Sequence, residues 1–197
     1  MESWNPILPA FIRDNILDQL VLPKVKKAVD AWDPKRSKVG SVRISLAGIV
    51  FPWLPMLGDR VEEVLGDAKR RIKSVMRNWS IRDPPPEELV RWKKDVSAGS
   101  VTVYVANVQI YSSSEWDKLV LQYLLPKLAV CLREDFSVNP RNQDMVPLEQ
   151  WVLPWRHIVR PSMFSHLLEA EFFPKWLEIL YIWLIQPNFS ADEVATW

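Results

Sequence analysis

Residues 116–132 read WDKLVLQYLLPKLAVCL. Trp116, Leu119, Val120, Tyr123 and Leu124 recur at three- and four-residue steps. So do Leu128, Cys131 and Leu132, and each half is an amphipathic helix. Between the halves stands Leu125-Pro126-Lys127. Proline ends or kinks a helix but is welcome at a helix's first position, so this motif sets a bend or joint. It recurs as Leu22-Pro23-Lys24 and as Phe173-Pro174-Lys175, each time between apolar runs at helical spacing. Trp32 follows the first proline by nine residues, Phe136 the second by ten, and Trp183 the third by nine. Phe51-Pro52-Trp53 and Leu153-Pro154-Trp155 are a second echo, their prolines 102 residues apart, while Pro23 and Pro126 are 103 apart. The pattern predicts two copies of a unit of roughly 100 residues. The fold class expected is all-α, a helical-repeat (α-solenoid-like) array with proline-kinked helices.

Outward from that stretch the same periodicity continues. Ile12, Ile16, Leu17, Leu20 and Val21 share a face, followed after Pro23 by Val25, Ala28, Val29 and Trp32, until Asp33-Pro34 stops the helix. Val42, Ile44 and Leu46 alternate with Arg43 and Ser45, which predicts a short extended piece. The clearest helix runs from Asp59 to Trp79 on the stripe Val61, Val64, Leu65, Ala68, Ile72, Val75 and Met76. Another follows through Leu89 and Trp92 to about Val96. Residues 97–114 differ: Val101, Val103 and Val105 alternate with Thr102, Tyr104 and Ala106, which marks an insertion holding a short strand or ordered loop. Ser112-x-x-Glu115 is a capping box for the next helix. Residues 139–147 are turn-rich, a short helix holds Leu148, Trp151 and Val152, and Ser162 opens the last long helix. A second capping box, Ser190-x-x-Glu193, stands four residues from Trp197, as expected of a piece cut from a longer protein. The chain is thus read as one domain, 1–197, with sub-repeats 1–96 and 112–197 around the insertion 97–114.

The sequence has 197 residues, 48% hydrophobic and 25% charged, enough to build a core. It carries eleven tryptophans, each able to bury a large area if its indole N–H finds a partner. Trp32, Trp79, Trp176 and Trp183 are assigned to helix contacts in the core. Trp53, Trp155 and Trp197, beside prolines or at the end, fit exposed aromatic anchors for a partner. Twenty-five basic and 24 acidic side chains give a net charge of +1, so nothing overall draws the chain to nucleic acid or an anionic membrane. A single cysteine, Cys131, excludes an internal disulfide framework. No apolar run reaches membrane-spanning length, and Met1-Glu2-Ser3-Trp4-Asn5-Pro6 carries no signal-peptide pattern.

The residues of chemistry are few. His157 and His166 stand in no metal-ligand spacing, and Cys131 lies in an apolar stripe. No glycine-rich phosphate loop or nucleophile elbow occurs. Glu62-Glu63 and Glu87-Glu88 complement the dipoles of helix starts. The expected catalytic, cofactor and metal sets are therefore empty, and the chain reads as no enzyme. One charge cluster stands out: Lys69, Arg70, Arg71, Lys73 and Arg77, with Lys69, Lys73 and Arg77 at i, i+4 and i+8 opposite the apolar stripe. It is either a solvated helix face or a patch for phosphates or an acidic partner. No aromatic residue interleaves it as single-strand binders require. The candidate partner-binding set is Trp53, Trp155, Lys69, Arg70, Lys73 and Arg77.

Several segments resemble the helical GC-rich-sequence DNA-binding-factor-like domain, best in its tuftelin-interacting-protein branch. They are Ser3-Trp4-Asn5-Pro6, Leu8-Pro9-Ala10-Phe11-Ile12-Arg13-Asp14-Asn15-Ile16-Leu17-Asp18, Leu22-Pro23-Lys24 with Trp32, Phe51-Pro52-Trp53-Leu54-Pro55, Trp92-Lys93-Lys94-Asp95-Val96, Leu125-Pro126-Lys127-Leu128 and Phe172-Phe173-Pro174-Lys175-Trp176-Leu177. The resemblance runs along nearly the whole chain and departs at residues 97–114. It implies a nuclear pre-mRNA splicing factor that acts late, recruiting and activating a DEAH-box RNA helicase to take apart the intron-lariat spliceosome. The activating glycine-rich patch of such factors lies outside this segment, so this domain is implied to be the scaffold that docks on spliceosomal proteins. A sibling branch tied to transcription and splicing, and a weak RNA-binding helical module, are the alternatives. No cofactor and no membrane contact are implied.

Overall fold

The computed structural model describes residues 8–33, 38–39, 42–43, 45–97, 111–187, 190 and 192. The fold is all-α. The described residues form ten α-helices joined by π- and 3-10-helical turns, with one two-residue hairpin, Lys38–Val39 paired antiparallel to Val42–Arg43. The hairpin lies where alternation predicts an extended piece, but Leu46 opens a helix instead. Most of the expected insertion, residues 98–110, lies outside the described residues. The chain divides into two compact units, residues 1–75 with 86–113, and residues 76–85 with 114–197.

In the first unit α1 (Ala10–Ile16), a π-helical turn (Leu17–Val21) and α2 (Leu22–Ala31) follow without a break. Pro23 does not end the helix. Its ring would strike the carbonyl four residues back, and the wide turn just before it moves that carbonyl away. Leu17, Val21, Val25 and Val29 are buried at four-residue steps, and Trp32 leaves in an extended conformation before Asp33-Pro34. Leu20, expected on the same stripe, is 55% exposed, because the π turn takes up an extra residue and rotates the buried face past it. Next come α3 (Leu46–Val50), a 3-10 turn (Phe51–Trp53) and α4 (Leu54–Leu57). Gly58, at φ 53° and ψ −129°, turns the chain in a region that side chains disfavour. A second 3-10 turn (Gly58–Arg60) leads into α5 (Val61–Asn78), whose predicted stripe is buried from Val64 to Met76. In α6 (Glu87–Ser97), Trp92 is fully buried. Its indole N–H donates to Glu88 at 2.8 Å, and its ring lies 5.4 Å from Phe51 and 6.1 Å from Tyr111. Helix α3 packs on α2 and α6, and Arg60 grips Asp18 through two nitrogens.

Helix α7 (Ser113–Leu119) begins just after Ser112, as the capping box predicts. A π turn (Val120–Leu124), α8 (Leu125–Val130) and another π turn (Cys131–Asp135) follow, and Phe136 exits extended. A bridge between Ser137 and Asp144 closes the polar turn. The short helix at 148–152 is a π turn (Pro147–Val152) running into a 3-10 turn (Leu153–His157). Helix α9 (Pro161–Glu171) gives way at Phe172 to α10 (Phe173–Leu184). Phe136 stacks on Phe172 at 5.4 Å. Trp116, Val120, Leu124, Leu128, Val152 and Trp155 form the heart of this core. One expectation fails here: α10 buries none of its residues, so Trp176 and Trp183, assigned to helix contacts in the core, are only half-buried.

Candidate functional site

Among the described residues no group of histidine, cysteine and carboxylate side chains is placed to hold a metal ion. Cys131 is buried with its sulfur 4.0 Å from the Pro147 carbonyl. Burial, aided by the Asp135 charge, pushes its thiol up to about 11, which keeps it protonated and a poor nucleophile. His157 and His166 are both exposed, and His166 lies 3.6 Å from Glu169 one turn away.

The basic cluster lies along α5, and part of it is engaged within the molecule. The Lys69 ammonium sits 5.0 Å over the Tyr111 ring, and the Tyr111 hydroxyl donates to the Lys69 carbonyl at 3.3 Å. Arg70 pairs with Asp67 on the same helix. Arg71 donates to the Asp30 carbonyl and lies 3.7 Å from the Asp30 carboxylate. Lys73 and Arg77 occupy exposed positions. The helix also begins with Glu62 and Glu63 and ends with Arg77, the order that its dipole favours.

The aromatic part of the predicted set needs correcting. Trp155 is fully buried, so it is a core residue and not an exposed anchor; its indole nitrogen has no hydrogen-bond partner. The 3-10 turn after Pro154 points it inward, whereas Trp53 in the matching turn is half-buried. Proline next to tryptophan marks a corner but not which side of it faces the core. Trp197 lies outside the described residues. Of the four tryptophans assigned to the core, Trp32 is buried and Trp79, Trp176 and Trp183 are half-buried. Trp79 donates its indole N–H to the Pro84 carbonyl at 3.1 Å.

Two features escape sequence reasoning. One is the role of the motif lysines. Lys127 donates to the carbonyls of Met76, Arg77 and Trp79 at 3.1, 2.7 and 2.9 Å, closing the end of α5. Lys175 does the same for Leu132, Arg133 and Phe136 at 2.8, 2.5 and 3.2 Å. Helix ends leave carbonyls unpaired and carry partial negative charge, so an ammonium is a fitting clasp. Burial lowers the Lys127 pKa from its ordinary value, and the three carbonyls hold the cation in place. The second feature is surface relief in the second unit. The Arg82 guanidinium lies 5.0 Å over Trp151 and 3.4 Å from Asp135. It borders a shallow cavity of about 390 Å³ lined by Ile81, Pro126, Val130 and Cys131. A groove of about 410 Å³ runs between residues 139–141 and Ile179, Ile182, Trp183 and Gln186. The first is largely apolar and the second is as polar as it is apolar, and each has an arginine at its edge, Arg82 and Arg141.

The family model described as GC-rich sequence DNA-binding factor-like protein matches residues 1–180. Over its whole length the chain is 33% identical to a protein of Rattus norvegicus named Tuftelin-interacting protein 11. It is 32% identical to the protein of that name in Xenopus laevis and 31% identical to the one in Bos taurus. In each case the chain spans 21% of the relative's own length.

Proposed function

The chain belongs to the GC-rich sequence DNA-binding factor-like family, and from that membership we propose that it is a protein-interaction scaffold in a pre-mRNA splicing factor. The observation that carries the reading is the identity of 31–33% along the whole chain to proteins named for an interaction, not a reaction. The largely apolar cavity beside Arg82 supports it, as does a basic face whose Lys69, Arg70 and Arg71 are tied to the chain's own groups. On this reading the protein is not an enzyme. It works in the nucleus. It docks on spliceosomal proteins during disassembly of the intron-lariat complex, while a segment elsewhere in the whole factor recruits and activates a DEAH-box RNA helicase. RNA contact is weak, and no membrane is involved; among the described residues no helix is long and apolar enough to cross one.

Cross-linking of the whole factor in purified late spliceosomes tests this. Lysines of this segment, Lys69 and Lys73 foremost, should link to spliceosomal proteins. Cross-links only to RNA, or none in late complexes, would overturn the scaffold reading. The segment added in excess should leave the helicase's RNA-stimulated ATP hydrolysis unchanged. Stimulation equal to that by the whole factor would place the activator here instead.

A further inference from the structure

An arginine stands three residues before a serine twice in this sequence, at Arg71 and Ser74 and at Arg77 and Ser80. Substrates of one broad class of protein kinase carry this spacing. An acidic pocket of the kinase reads the arginine while the serine hydroxyl meets the γ-phosphate of ATP. The structure separates the two serines. Ser74 lies inside α5, and its Arg71 is committed to Asp30. A kinase cleft takes its acceptor in an extended segment, so the helix withholds Ser74. Ser80 stands two residues past Asn78, the last residue of α5, on the loop that leads to α6. It is exposed. Its carbonyl accepts from the Asp83 amide at 3.2 Å, which closes a turn, and its hydroxyl oxygen accepts from the Arg82 amide at 3.3 Å.

The surroundings of Ser80 suit a phosphate. Ser80, Arg82, Lys127 and Asp135 all line the cavity of about 390 Å³, so two cations face one carboxylate there. Arg82 meets Asp135 only at 3.4 Å, and the two side chains are 66% and 36% exposed. A phosphoserine carries a charge of about −1.5 to −2 and three strong acceptor oxygens, so it outcompetes a single carboxylate for the guanidinium. Asp83 in the same turn and the negative end of α5 oppose it. Access is controlled as well. Arg77 still belongs to the last turn of α5, which Lys127 closes through the Met76, Arg77 and Trp79 carbonyls. Laying Arg77 and Ser80 into one cleft unwinds that turn, and the Lys127 clasp resists the unwinding.

We propose that Ser80 is a phosphorylation site for a protein kinase that selects arginine three residues before its acceptor, with Lys127 as the latch on its access and Arg82 as the partner of the phosphate. In the reaction the Ser80 oxygen bonds to the γ-phosphorus of ATP as the bond from that phosphorus to the β–γ bridging oxygen breaks. ADP leaves, and the hydroxyl proton passes to the catalytic aspartate of the kinase. The modification turns the charge around the cavity from net positive to net negative, which repels an acidic partner segment there. The inference stands apart from the splicing reading, because it concerns how this loop is modified and not what the protein docks on.

The test incubates the natural full-length protein with ATP and calcium–calmodulin-dependent protein kinase II, a kinase of this selectivity, and follows each serine by mass spectrometry. Ser80 should be phosphorylated about tenfold faster than Ser74, which is reached only by opening α5. Arg77→Gln keeps the carbonyl that Lys127 holds and should slow Ser80 about tenfold, as loss of a charge-assisted pair does. Lys127→Met should speed Ser80 about tenfold and leave Ser74 slow. A rise at both serines means general unfolding and overturns the latch, as does no rise at Ser80. Phosphorylation should leave the urea midpoint of the parent protein nearly unchanged and lower that of Arg82→Gln. An equal response in both overturns the role of Arg82. Protein taken from its own cells with phosphatases inhibited should carry phosphate on Ser80. Its absence there, labelling of Ser80 no faster than Ser74, or a rate indifferent to Arg77 would each overturn the inference.

Discussion

Lys127 closes the end of α5. Its ammonium joins the Met76, Arg77 and Trp79 carbonyls. Hydrogen bonds to a charged group contribute about 1.5–3 kcal/mol, and the helix dipole adds to this within the last turn. Lys127→Met keeps the aliphatic stem and removes the donors. It should lower the unfolding free energy by about 1.5–3 kcal/mol, read from the urea midpoint at an unchanged slope. A loss below about 0.5 kcal/mol would mean the lysine is surface decoration. Lys24, at the first copy of the motif, is the control: it is exposed, and Lys24→Met should stay within about 0.5 kcal/mol. The lysine's place after proline can be read in the sequence; its purpose cannot. Its acceptors lie 48–51 residues upstream and are backbone atoms that every residue carries.

At the scale of the element, proline and the π turn act as a pair. The wide turns Leu17–Val21 and Val120–Leu124 each stand immediately before a Leu-Pro-Lys segment. They admit a proline into the middle of a helix, where it ordinarily costs about 3 kcal/mol. Deleting exposed Gln122 removes the extra residue of the turn and restores α-helical spacing, which sets the Pro126 ring against the carbonyl four residues back. The deletion should therefore destabilise by about 3 kcal/mol, and Pro126→Ala in the same chain should recover most of that. Failure of the second change to rescue the first would show that the π turn serves something other than the proline. This pairing also marks the limit of periodicity as a guide. The stripe of α5 was legible from Val64 to Met76 because nothing interrupts its 3.6-residue repeat. Leu20 was not, since a π turn shifts the face by one residue without any change in residue type. Trp155 was read as an anchor and α10 as core for a related reason. Hydrophobicity says that a side chain wants cover, not where the cover comes from.

For the whole molecule, charge decides between binding classes. A net charge of +1 leaves little long-range attraction to a polyanion, so any RNA affinity must come from the α5 face. That face is weaker than its composition indicates. Lys69 is stacked on Tyr111, Arg70 is paired with Asp67, and Arg71 is committed to Asp30. Drawing any of them to a phosphate means breaking a contact the fold already makes, so the face offers less attraction than its number of cations indicates. A face so committed releases few counterions, so affinity should lie in the non-specific range of about 10⁻⁴–10⁻⁶ M and fall with a shallow salt slope. Fluorescence anisotropy with a single-stranded RNA across a salt series measures both. Replacing Lys69, Arg70, Lys73 and Arg77 by Gln together should remove most of the binding. Binding at or below about 10⁻⁸ M at physiological salt belongs to a built nucleic-acid site. It would mean that RNA reorganises the α5 face, and the scaffold reading would give way to that of an RNA-binding module.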